Sequence, residues 1–141
     1  MGNMSNHFYI EKNYTDFFKK SEILNSPRSE GIIKRENFLL LMALGFNIGF
    51  KTPFENPKAK GNDTFVMNQL TKEELSLMYA IAISDSEDLE IVNDDLKVAD
   101  IAMEYANTGI IALKELEENS QKGNRIKKFQ AEIHDFIDED Y

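Results

Sequence analysis

The chain is 141 residues long, the size of one domain, and its 42% hydrophobic and 29% charged residues exclude a disordered or collagen-like polymer. Cysteine is absent, which excludes disulfide scaffolds, thiolate zinc sites and cysteine nucleophiles. Acids outnumber bases 25 to 16, giving −9, which argues against broad binding to nucleic acid or to an anionic membrane.

The opening Met1-Gly2-Asn3-Met4-Ser5-Asn6-His7 lacks the cationic start and apolar stretch of a secretory signal. Asn6 stands where a myristoylation motif needs Ser or Thr, so a cytoplasmic location is the expectation. Residues 1–31 read as a polar N-terminal segment in which Tyr14, Phe17 and Phe18 give one short helix before the breaker Asn25-Ser26-Pro27. Residues 32–141 read as a helical domain.

Within it, Phe38-Leu39-Leu40-Leu41-Met42-Ala43-Leu44 is rich in good helix formers and too short to span a bilayer, so it predicts a buried helix. Gly45 and Gly49 are expected to mark its end, and Pro53 and Pro57 oppose its continuation. Residues 51–62 read as a loop, with Thr64-Phe65-Val66 as a short extended piece. Thr71-Lys72-Glu73-Glu74 fits a capping box, Thr71 as N-cap and Glu74 at the third helical position, opening a helix from 72 to about 83.

The next helix carries the clearest periodicity. Asn93 or Asp94 caps it, and Leu96, Ala99, Ile101, Ala102, Tyr105, Ala106, Ile110, Leu113 and Leu116 keep a 3.6-residue rhythm over 94–117. Gly109 interrupts the stripe at a cost of roughly 1 kcal/mol of helix propensity, which a close helix crossing or a local bend would explain. Ile126, Phe129, Ile133, Phe136 and Ile137 predict a last amphipathic helix before the acidic tail Asp138-Glu139-Asp140. The fold class is mainly α: a compact bundle of four or five helices, with room for one short strand pair.

Charge is unevenly spread. Residues 1–71 carry nine Lys/Arg against seven Asp/Glu, and residues 72–141 seven against eighteen, so +2 faces −11. Lys51, Lys58 and Lys60 oppose only Glu55 and make a small positive loop. Such polarity either solvates the surface or orients a partner before contact.

Searches for catalytic chemistry return little. His7 and His134 are the only imidazoles and stand far apart, which is poor metal-ligand spacing; His7 falls in an expected loose terminus. Asp85-Ser86-Glu87-Asp88-Leu89-Glu90 puts Leu89 and Glu90 where a calcium loop needs an oxygen ligand and a glycine, so it reads as a polar connection. Asp95-Leu96-Lys97 has the acid-x-lysine form of a metal-dependent nuclease, but it opens a helix rather than ending a strand. Neither a phosphate-binding glycine loop nor a nucleophile elbow occurs, and the aromatic residues fall mostly on helical stripes expected to be core. No cofactor or metal is called for.

Two stretches carry a family resemblance: Glu36-Asn37-Phe38-Leu39-Leu40-Leu41-Met42-Ala43-Leu44-Gly45-Phe46 with the Lys/Pro-rich loop after it, and Ile101-Ala102-Met103-Glu104-Tyr105-Ala106-Asn107-Thr108-Gly109-Ile110-Ile111-Ala112-Leu113. Over about residues 35–119 the chain resembles the small bacterial proteins called DNA phosphorothioation-associated protein 4, which are encoded beside systems that mark or cut DNA in anti-phage defence. The shared motifs are structural, so no active-site residue is carried over. The resemblance implies an accessory subunit whose partner is a larger protein of a DNA-modification or defence complex.

The residues themselves suit such a role: Lys51, Lys58 and Lys60 in the positive loop, and Tyr105, Asn107 and Gly109 at the Asn-Thr-Gly break, are the candidate partner-binding positions. Asn107 and Gly109 would let a neighbouring backbone come close, and an intramolecular neighbour is the simpler choice. The expected function is a non-enzymatic adaptor; the alternative is an acidic DNA mimic whose carboxylates imitate phosphates. Strong direct binding to nucleic acid, or to a membrane, is not expected, and the oligomeric state is open.

Overall fold

His7–Glu11 alternates apolar and polar residues with aromatic and β-branched side chains, and forms strand β1, with Phe8 and Ile10 turned into the core. A 3-10 turn at Lys12–Tyr14 leads into the short helix α1, Thr15–Lys20. Helix α2 is Lys34–Ile48, strand β2 is Lys60–Val66, helix α3 is Lys72–Ser86, and helix α4 is Asp95–Asn119. Further 3-10 turns, Met67–Gln69 and Leu89–Asn93, precede α3 and α4. These elements belong to a computed structural model that describes residues 7–21, 23, 24, 34–55 and 60–119. The expected last helix, His134, Pro27 and Lys58 lie outside the described residues.

The mainly helical class and the short strand pair both hold. β1 pairs with β2 antiparallel, Phe8 opposite Phe65 and Glu11 opposite Lys60, with irregularities on either side of Tyr9. The stretch expected to be loop up to 62 therefore enters the sheet at Lys60, and His7, expected in a loose terminus, lies in β1. Phe8 stacks on Phe65 at 4.5 Å between centroids, and Phe38 of α2 meets both rings edge-on at 5.4 and 5.2 Å. Three elements thus meet through three rings, a geometry the aromatic quadrupole favours.

Residues 7–24 are no separate segment. Phe8, Ile10, Phe18, Ile23 and Leu24 join one buried cluster with α2, α3 and α4, so the boundary expected near residue 31 does not divide the core. Ser21 donates a hydrogen bond to Glu117 near the end of α4, and Tyr9 N approaches Met103 Sδ at 3.3 Å. Both contacts fasten the N-terminal part to α4.

The expected capping box at Thr71 is present: Thr71 Oγ1 accepts from Glu74 N (3.1 Å) while Glu74 Oε1 accepts from Thr71 N (2.9 Å). α3 runs past the expected end near 83 to Ser86, closing on Glu87 in the left-handed region with φ 58°. Of the two cap candidates for α4, Asp94 acts, its Oδ1 accepting from Lys97 N at 3.2 Å.

Gly49, at φ +111°, ends α2 as expected, and its N–H returns to Gly45 O at 3.0 Å. Gly45 does not end the helix; it lies inside α2, and the reason is tertiary. A Cβ on Gly45 would overlap the Tyr105 carbonyl and lie 3.2 Å from Gly109 N, and a Cβ on Gly109 would overlap the Leu41 carbonyl. Two glycines therefore face each other where α2 and α4 cross, and the missing side chains let the backbones touch.

Candidate functional site

α4 is buried nearly all round between Tyr105 and Ile110, so it is the central helix rather than a surface one. After Gly49 the chain turns and lays residues 50–53 along it. Thr52 N donates to Glu104 O at 3.1 Å. Thr108 Oγ1 donates to Phe50 O (2.9 Å) and receives Thr52 Oγ1 at 2.7 Å. Asn107 Nδ2 donates to Glu11 Oε1 and to Thr52 O, both at 3.1 Å. One amide thereby ties β1 and the loop to α4, and it gives the buried Glu11 carboxylate a donor.

Asp85, near the end of α3, closes the arrangement from the other side. Its Oδ2 pairs with Lys51 Nζ at 2.8 Å and its Oδ1 accepts from the Tyr105 hydroxyl at 2.9 Å. Burial pushes the Tyr105 hydroxyl up to about 12, with the hydrogen bond to Asp85 and the charge of that carboxylate adding to it. Glu104 is raised as well, first by burial, while Lys51 pulls it back and Asp100 and Asp85 push it further up. These polar contacts hold the segment 46–52 in one place.

What that segment presents is apolar. Phe46, whose ring meets Tyr105 edge-on at 5.3 Å, remains 37% exposed, Ile48 38% and Phe50 58%. These are large apolar residues left partly in water at and just past the end of α2, with Phe46 and Ile48, two apart, on different sides of the helix.

The sequence-predicted positions fall unevenly around this site. Lys51 is part of it. Lys60 stands at the first position of β2, opposite Glu11 in register, and Lys58 is outside the described residues. Tyr105, Asn107 and Gly109 are buried and engage this chain itself, so the intramolecular reading of the Asn-Thr-Gly break is the one the geometry supports. Phe46, Ile48, Phe50, Asp85 and Glu104 were missed. The signal at Phe46, Ile48 and Phe50 was apolar residues on both sides of a C-capping glycine, hidden by the expectation that aromatic residues are core, while Asp85 read as part of a polar connection.

Asp95 and Lys97 occupy the first turn of α4, two residues apart and therefore on different helix faces, not on a strand. The Tyr79 hydroxyl bonds Asp95 and is raised by burial and by that carboxylate. Asp88, in the acidic connection, caps the 3-10 turn through Glu90 N at 2.9 Å. Among the described residues no three His, Cys, Asp or Glu side chains are grouped to hold a metal ion, and no helix is long and apolar enough to cross a membrane. Comparison with protein families, with curated proteins and with solved structures finds no match to this chain.

Proposed function

We propose that this protein is a non-enzymatic adaptor, an accessory subunit that binds a larger protein of a bacterial anti-phage DNA-defence assembly. The observation that carries the docking role is the exposure of Phe46, Ile48 and Phe50 at the end of α2, next to the Lys51–Asp85–Tyr105 network. Rigid, partly exposed aromatic side chains lose little entropy on binding, which is why they dominate interface energetics. The class of assembly rests on the resemblance over residues 35–119 alone, and a cytoplasmic location goes with it.

Tagged protein purified from its native host under mild salt tests the reading. A larger protein should accompany the wild-type chain and be lost with Phe50→Ser, whose side chain is exposed and whose backbone contact is kept. Recovery of the wild-type chain by itself, as an isolated monomer, defeats the proposal.

A second reading, the DNA mimic, is favoured by one specific observation: residues 72–119 carry thirteen acids against three bases. Such a mimic would bind the DNA site of a nuclease or repressor through charge, and its affinity would collapse with salt because screening acts over about 10 Å at 0.1 M. Target binding unchanged between 50 and 500 mM NaCl removes this second reading.

A further inference from the structure

Residues 50–53 run along α4 between two fixed ends. On one side the chain leaves α2 through Gly49, at φ +111°, and on the other Phe54 packs against the buried core. Between these ends the contacts are polar. Thr52 N donates to Glu104 O, Thr52 O accepts from Asn107 Nδ2, both at 3.1 Å, and Phe50 O accepts from Thr108 Oγ1 at 2.9 Å. The Thr52 and Thr108 hydroxyls meet at 2.7 Å, and Lys51 Nζ reaches Asp85 Oδ2 on α3 at 2.8 Å. Phe50 and Pro53 are exposed, so apolar burial adds little to this hold.

Such a hold differs from that of the helices. Lifting residues 50–53 exposes almost no apolar surface, and water replaces each polar partner as it leaves, so opening costs less than unfolding the core. The closed arrangement also carries a penalty. Asn107 is buried and donates to the segment through Nδ2, while its Oδ1 is buried without a hydrogen-bond partner among the described residues. Of the contacts above, only Lys51–Asp85 reaches α3, and it alone joins two full charges, so it alone weakens strongly with salt.

We propose that residues 50–53 form a strap that opens as a unit while the core stays folded, with the Lys51–Asp85 pair as its latch. Opening uncovers Asn107 and Thr108 on α4 and admits water to the Asn107 amide. Ionic strength, or a charged group that competes for Lys51 or Asp85, sets how often it occurs.

Native-state hydrogen exchange, followed by NMR across low urea concentrations, tests this through the Thr52 amide. Thr52 N–H should be less protected than the amides of Ala106 and Ile110 in α4, and its exchange should depend less on urea. Thr71→Ala breaks a cap that the open strap keeps, so it should speed the α4 amides about fivefold and leave Thr52 unchanged. If Thr52 instead follows Ala106 and Ile110 in urea and in that variant, no strap opens and the proposal is overturned.

Thr108→Val leaves the Thr52 N–H bond itself intact and should still speed Thr52 exchange about tenfold, because the hydroxyl contacts of Thr108 are lost whenever the whole segment lifts. An unchanged rate there would reduce the event to the breaking of one bond and overturn the unit. Asp85→Asn keeps an acceptor for the Tyr105 hydroxyl and should speed Thr52 exchange about fivefold at low salt. Raising NaCl from about 50 to about 500 mM should speed Thr52 exchange in the wild type and not in Asp85→Asn. A salt response of equal size in both proteins would overturn the latch.

Discussion

At Gly109 a single methyl decides whether the two long helices can touch, since its Cβ would occupy the place of the Leu41 carbonyl. Backbone cannot move aside as a flexible side chain can, so Gly109→Ala should destabilise by about 3 kcal/mol. That corresponds to a fall in Tm of roughly 10 °C by circular dichroism. Gly45→Ala acts on the same crossing, so the double variant should lose less than the sum of the singles. Simple additivity would mean that the two glycines do not share one contact.

Glu104 offers a pH test at the same scale. Its carboxyl is raised in the fold, so the unfolded chain loses that proton first, and stability falls as pH rises from the ordinary carboxylate range through the folded pKa. Glu104→Gln lacks this loss. Its Tm advantage over the wild type should therefore grow as pH rises from the ordinary carboxylate range and level off once the folded carboxyl has ionised. An advantage that shrinks over that interval would show that the attraction of the Lys51 charge outweighs burial.

The elements owe their ends to local chemistry, and α3 shows this at both termini. Thr71→Ala removes the acceptor for Glu74 N and should cost about 1 kcal/mol. Glu87 holds φ 58° at the other end, a conformation in which a Cβ is penalised, so Glu87→Gly should stabilise by about 0.5 kcal/mol. Urea denaturation of the two single variants should give midpoint shifts of opposite sign. The Thr71 end was legible in the sequence because a capping box needs only residues within four positions, whereas the Glu87 end, three residues past the expected stop near 83, was not. The strands were less so: β2 was seen at Thr64-Phe65-Val66, but β1 reads as part of a polar, loose terminus until its partner is known.

Across the whole molecule, one core joins the N-terminal strand to the last described helix. Phe8 is fully buried against Phe38 and Phe65, so Phe8→Ala should cost about 3–4 kcal/mol, a large part of the stability of an ordinary domain. Unfolding of the wild type should also be a single transition by both near- and far-ultraviolet circular dichroism. A separate early transition confined to aromatic signals would restore residues 1–31 as an independent unit.

Helix class, the Thr71 capping box and the Gly49 stop were determined by the sequence itself, because propensity, capping and periodicity act over a turn or two of chain, while Gly109 pointed to either a close crossing or a bend. Which neighbour Gly109 meets was decided only in three dimensions, as was the burial of Tyr105 and Asn107. The same holds for the end of α2. Phe46 and Phe50 look like core residues from their type alone yet stay partly exposed in the fold, and Asp85 and Glu104 both feel Lys51 only when α3 and α4 pack together. Contacts between distant stretches depend on how helices cross and strands register, and neither is written in any one stretch of sequence.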